Sequence, residues 1–211
     1  MARDLAALLD PGHTAVITME LQRGVVGDAS AIPALAEAVA ARAVVARAAA
    51  VVRSARDVGA RVVHCTAEFR ADRAGSSDNS PLLRALARSG PHPLAGSDAA
   101  AVVAELGPEP TDVISSRTHG LTPFPGTDLD QLLRNLGVRT IVATGVSLNI
   151  GVTGLTMVAV DLGYEVVVVT DAVAGIPPEY GEAVLEHTIA PLAVRATADE
   201  VVATWARLAR P

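Results

Sequence analysis

Several side chains able to do chemistry stand just past apolar runs of this sequence. Glu20 follows the run 14–19, Cys65 lies at the end of 61–66, and Arg117 and His119 follow 112–115. Ser147, Asn149 and Gly151 follow 139–144 in the stretch Gly145-Val146-Ser147-Leu148-Asn149-Ile150-Gly151. A carboxylate directly after an apolar strand is costly unless paired or hydrated. Glu20 is therefore either an acid–base group of a site or half of a structural ion pair. Arg117 is a site cation or a solvated loop charge. His119 suits proton transfer near neutral pH, or is an incidental loop histidine. Cys65 is a small core residue or a displaced nucleophile. The segment 145–151 leads from a buried strand into a helix start, where unpaired N–H groups and the helix dipole favour negative charge. It is an anion or oxyanion cradle, or a plain strand-to-helix turn.

What must position these groups is legible in the periodicity. Apolar runs alternate with helical patterns, the signature of a parallel sheet with covering helices. Strands are expected at 14–19, 61–66, 112–115, 139–144, 165–170 and 193–196. Helices are expected at 33–58, with Pro33 at its start and Gly59 past its end, and at 128–136, with Thr127 as cap and Gly137 beyond. Further helices are expected at 151–162, 178–189 and 197–208, the last opened by a Thr197–Glu200 capping box. Residues 67–110 form the irregular part, with Gly-Ser-Ser-Asp-Asn-Ser-Pro, a short helix near 82–88 and Gly90-Pro91-His92-Pro93. This part is a mobile lid or an oligomer contact. Ligands of an open parallel sheet sit beyond the carboxyl ends of its strands. The polar candidates, with Asp171 after the fifth strand, fall on that rim; Gly59, Gly137 and Gly163 collect on the other. No repeat or second domain is visible, so residues 1–211 are expected to form one domain.

Composition excludes several classes. Half of the 211 residues are hydrophobic and only 2% aromatic, so the core must be built from Ala, Val, Leu and Ile. A net charge of -6 and the lack of a basic stripe argue against nucleic acid. No apolar stretch reaches the roughly 18–20 residues of a spanning helix, and no leader pattern opens the chain. A cytoplasmic protein without a membrane partner is expected. All 17 basic residues are arginine, so no lysine is available for catalysis. The single cysteine excludes a disulfide within the chain. His64 and Glu68 straddle a strand end rather than share a helix face, and Gly145 and Gly151 lack the dinucleotide-loop spacing. No metal or cofactor is expected.

Three segments in this order carry a family resemblance: Glu20-Leu21-Gln22, Phe124-Pro125-Gly126-Thr127-Asp128-Leu129, and Thr144-Gly145-Val146-Ser147 through Asp171-Ala172. They resemble the isochorismatase-like cysteine hydrolases. The resemblance implies a three-layer α/β/α sandwich around a Rossmann-like parallel sheet of about six strands, a small-molecule substrate, and a homo-oligomer (dimer or tetramer). The usual triad of that family is aspartate, lysine and cysteine. Here the aspartate position resembles Glu20, the lysine position falls at Arg117 or Thr118, and the cysteine position resembles Gly151. Arginine keeps the charge but does not shuttle a proton. The resemblance also implies an oxyanion hole at the Ser147 and Gly151 amides and a cis peptide at Val146–Ser147. One branch, the isochorismatases proper, has glycine at the cysteine position and hydrolyses a vinyl ether. That reaction needs a general acid and water but no nucleophilic side chain.

The expected catalytic set is thus Glu20, Arg117 and Gly151, with Gln22, His119, Ser147 and Asn149 holding substrate. The expected function is hydrolysis of a small anionic substrate without a cysteine nucleophile, of the vinyl-ether type rather than the amide type. The alternatives are an inactive binding or regulatory protein on the same scaffold, and a hydrolase using Cys65.

Overall fold

Valine-rich runs with no polar alternation belong in strands buried on both faces, and each becomes a parallel strand. The computed structural model describes residues 4–88 and 93–209; Gly90, Pro91 and His92 lie outside them. The order is α1 (Leu5–Leu8), β1 (Thr14–Met19), α2 (Pro33–Ala41), α3 (Val44–Asp57), β2 (Arg61–Ala67), α4 (Pro81–Arg88), β3 (Val113–Arg117), α5 (Leu129–Asn135), β4 (Thr140–Val146), α6 (Thr153–Asp161), β5 (Glu165–Ala174), α7 (Pro178–Val184), β6 (Val194–Ala196) and α8 (Ala198–Leu208). The six strands form one sheet in the order β3-β2-β1-β4-β5-β6, and every neighbouring pair is parallel.

Alternate side chains of each strand build two cores. Val16, Val62, Val142 and Val167 pack against α2, α3 and α8, around the fully buried Trp205. Ile17, Val63, Ile141 and Val168 pack against Leu129 and Leu133 of α5, Leu155 of α6 and Val184 of α7. Helices thus cover both faces, as expected of the α/β/α sandwich. The Thr197–Glu200 capping box opens α8, and the Thr127 hydroxyl accepts from the Leu129 amide at 3.3 Å. Among the described residues no helix is long and apolar enough to cross a membrane.

The expected helix 33–58 is two helices. Ala43 adopts a left-handed φ of 51° between α2 and α3. Arg42, at the break, donates to the Thr170 carbonyl at 3.1 Å and pairs with Glu182. Contacts with distant segments turn a chain whose alanines would continue the helix. β5 also runs four residues past its expected end, made possible by a shift of register against β4 between Ala143 and Gly145.

One buried polar chain crosses the α3 side of the sheet. His64 lies fully buried between the Thr18 hydroxyl, 2.7 Å from Nδ1, and Asp112, 3.2 Å from Nε2. Asp112 also receives the Arg56 guanidinium, at 2.6 and 3.2 Å. The carboxylate only accepts, so Nε2 carries the proton and Nδ1 accepts from Thr18. Burial pushes the His64 imidazole below its ordinary value of 6.5, overriding the Asp112 contact. The unfolded chain therefore takes up a proton below about pH 6.5 that the folded chain refuses, so stability falls as pH drops through that region. Chemical denaturation between pH 7.5 and 5 should show a slope of up to about 1.4 kcal/mol per pH unit. His64→Gln should flatten it; an unchanged slope would place the proton uptake elsewhere.

Candidate active site

The sheet order reverses direction between β1 and β4, and in open α/β sheets a crevice forms beyond the carboxyl ends of such a pair. Here that crevice is a cavity of about 510 Å³ whose lining includes Glu20, Arg117, His119, Ser147, Asn149 and Gly151. Six of the seven expected site residues are thus brought together. Gln22 is not among them. It is fully buried, accepts from the Ala67 amide at 2.8 Å, and donates to the Ala67 and Ala100 carbonyls at 3.0 and 2.8 Å. Its amide ties the end of β2 at Ala67 to the segment at Ala100, so the structure gives it a positioning place instead of a substrate contact.

Glu20 leaves β1 with a left-handed φ of 51°, its amide donating to the Cys65 carbonyl at 2.9 Å. Its carboxylate meets the Nη2 of Arg117, the last residue of β3. Their side chains are 17% and 7% exposed, so the pair sits at the boundary between core and cavity. The Nε and Nη1 of Arg117 are enclosed and have no protein partner. Thr118, the other expected occupant of the cation position, is exposed and lies outside the cavity lining.

The opposite wall comes from the segment after β4. Gly145 has a φ of 104°, and a Cβ there would stand 2.1 Å from the Met19 carbonyl oxygen. Only glycine lets β1 and β4 approach this closely at the cavity edge. The Val146–Ser147 peptide is cis, and a π turn over Leu148–Val152 precedes α6. Asn149 accepts from the Ile176 amide at 3.4 Å, tying this turn to the loop after β5. A Cβ at Gly151 would lie 2.9 Å from the Val146 carbonyl oxygen and 3.2 Å from Met19 Cε. His119 is seated by the Phe124-Pro125-Gly126 turn: a Cβ on Gly126 would come within 2.5 Å of its Nε2.

Other expected rim residues are occupied elsewhere. Asp171 lies within β5, where it accepts from the Ala198 amide at the start of α8 and pairs with Arg47 at 2.6 Å. His64 belongs to the buried chain described above, and Glu68 accepts from the Thr66 and Ser116 hydroxyls. Cys65 is 1% exposed within the core, and burial pushes its thiol up to about 12. A thiolate nucleophile at Cys65 has neither access nor a favourable charge state. Among the described residues no three His, Cys, Asp or Glu side chains are grouped to hold a metal.

The structure adds residues that sequence reading passed over. Leu82, Leu83 and Leu86 of α4 roof the cavity, with Ile32, Leu35, Phe69 and Arg73 in its walls. The leucine spacing of α4 was a visible signal, since positions i and i+4 share a helix face. Which surface that face would cover was not visible.

A doubly wound α/β protein with a paired carboxylate and guanidinium at its switch point is the class this geometry defines. The Isochorismatase domain family matches residues 14–200, and the chain belongs to that family. It is 36% identical over 105 residues to an uncharacterized isochorismatase family protein, YwoC, of Bacillus subtilis, covering 49% of this chain and 54% of that protein. The chain spans about half the length of the curated relatives it matches. An isochorismatase family protein of Burkholderia thailandensis superposes with a TM-score of 0.75 at 28% identity, covering 92% of this chain and 96% of that one. A cysteine hydrolase of Pseudomonas syringae shares the fold, with a TM-score of 0.82 at 21% identity over 98% of this chain and 99% of that one.

Two outcomes follow from the packing. Gly151→Ala should lower stability by about 1–3 kcal/mol, because the Val146 carbonyl must move; a denaturation midpoint equal to the parent's would show that the site has room. Native Cys65 should resist iodoacetamide and react only on unfolding, as mass spectrometry of the intact chain would record.

Proposed function

We propose that this protein is a hydrolase of a small anionic substrate in which Glu20 exchanges the proton and no cysteine acts as nucleophile. The observation that carries the reading is the placement of Glu20, Arg117 and Gly151 around one cavity. Amide hydrolysis through a thioester needs a reactive thiol; position 151 has no side chain, and Cys65 is enclosed. Vinyl-ether hydrolysis needs only a proton donor and water. In this reading Glu20 enters the cycle as the carboxylic acid, and its oxygen not held by Arg117 gives up the proton to the vinyl carbon. Water then attacks the oxocarbenium carbon and returns a proton to the same carboxylate. The resulting hemiketal collapses to a ketone and an alcohol. Arg117 holds Glu20 in place, and its positive charge at the cavity lining attracts a substrate anion. Ser147 and Gly151 present backbone near the departing oxygen, and His119 and Asn149 line the remaining wall.

Purified protein with isochorismate and simpler carboxylated enol ethers should show turnover. Glu20→Gln should lower kcat/KM by about 10²–10⁴-fold, the range for a general acid–base group, with the fold retained by circular dichroism. Equal turnover in both proteins would remove Glu20 from the chemistry. Ligand binding that depends on Arg117, without conversion by either protein, would instead identify a binding protein on this scaffold.

A further inference from the structure

The cavity lining is of two chemical kinds. One is polar and includes the Glu20–Arg117 pair and Ser147 and Asn149 of the segment after β4. The other is apolar and includes Leu82, Leu83 and Leu86 of α4, Ile32 and Leu35 near α2, and Phe69 after β2. None of the α4 residues is buried, so its leucines cover the cavity without completing a core of their own. Arg73 belongs to the same lining, beside Phe69. Its guanidinium carbon lies 4.1 Å above the Phe69 ring centroid, and its backbone has a left-handed φ of 57°. Its Nη1 is enclosed without a partner. Arg70, three residues earlier, is paired with Asp72 at 2.6 Å, and Arg117 with Glu20. Among the described residues no carboxylate is paired with Arg73.

We infer that Arg73 receives the anionic end of an amphiphilic monocarboxylate whose hydrocarbon body lies under the α4 leucines. Three physical points lead there. The cation is held over an aromatic face, which fixes its position. The guanidinium belongs to the cavity lining with no carboxylate among the described residues paired to it, so a ligand anion there meets an unneutralised charge. The apolar wall beside it gains by covering hydrocarbon and would be wasted on a small, fully polar ion. A single guanidinium beside apolar residues neutralises one negative charge, so the second charge of a phosphate monoester would stay unpaired against apolar surface. This inference rests on the reading of the cavity as a substrate site and narrows the substrate to acids with a hydrocarbon body.

The test uses the full chain and three probes of one chain length: n-octanoate, n-octyl phosphate and 1-octanol, titrated by calorimetry or ¹⁵N–¹H NMR. Octanoate should bind at least about tenfold more tightly than octanol, the increment of one hydrogen bond to a charged group, and more tightly than octyl phosphate. Arg73→Gln should erase that advantage while leaving octanol binding unchanged. Leu83→Asn should weaken octanoate and octanol alike. Equal binding of octanoate and octanol to the parent, or an advantage surviving Arg73→Gln, would overturn the inference. Octyl phosphate binding more tightly than octanoate would overturn the carboxylate assignment. Failure here is separable from failure of the hydrolase reading. Glu20→Gln should lower turnover as stated above yet keep the Arg73-dependent advantage, whereas turnover retained in Arg73→Gln with no octanoate preference in the parent would sink only this inference.

Discussion

The ion pair between Glu20 and Arg117 joins the ends of β1 and β3 across the end of β2, which lies between them in the sheet. Taking two charges largely out of water costs several kcal/mol per ion unless geometry and further contacts compensate. Much of the surrounding structure is arranged to hold that geometry. Ala67, the last residue of β2, is in register with Arg117. Gln22 binds both the amide and the carbonyl of Ala67 and so fixes the height of β2 under the pair. The Glu20 amide is anchored on the Cys65 carbonyl one strand over.

The edge strand β3 is held at both ends. Asp112, the residue before it, is locked by Arg56 and His64; Arg117, its last residue, is locked by Glu20. An edge strand is free on one side and would otherwise be the least constrained member of the sheet. The buried Thr18–His64–Asp112 chain resembles a nucleophile–base–acid triad in its connections. It lies in the core on the α3 side, with His64 fully buried and outside the cavity lining. Its geometry serves the placement of β3, and through β3 the placement of Arg117.

The opposite wall is set by the absence of side chains. Gly145 allows β1 and β4 to close up, and Gly151 fits beneath the Val146 carbonyl where a Cβ would collide. With the thiol of Cys65 shut in the core, the polar groups facing the cavity are a carboxylate, two guanidiniums, an imidazole, an amide and hydroxyls. Such a set includes groups that exchange protons and groups that pair with anions.

Strand positions, the α8 capping box and the rim carrying Glu20, Arg117, His119, Ser147, Asn149 and Gly151 were legible in the amino-acid sequence alone. Each rests on a local signal: valine runs, cap spacing, and the rule that places loops after parallel strands at one edge. The family resemblance could be read from three short segments for the same reason. Other features depend on residues far apart in the chain. The break at Ala43 is decided by what Arg42 reaches near β5 and α7, not by alanine propensity. Gln22 looked like a substrate ligand until Ala67 and Ala100 consumed its amide, and Asp171 looked like a rim acid until Arg47 and Ala198 claimed it. Arg73 and the α4 leucines gave no sign of sharing a cavity with Glu20. Periodicity reports which side of an element is apolar, while partners and burial are set by long-range packing, and so only the tertiary structure could assign them.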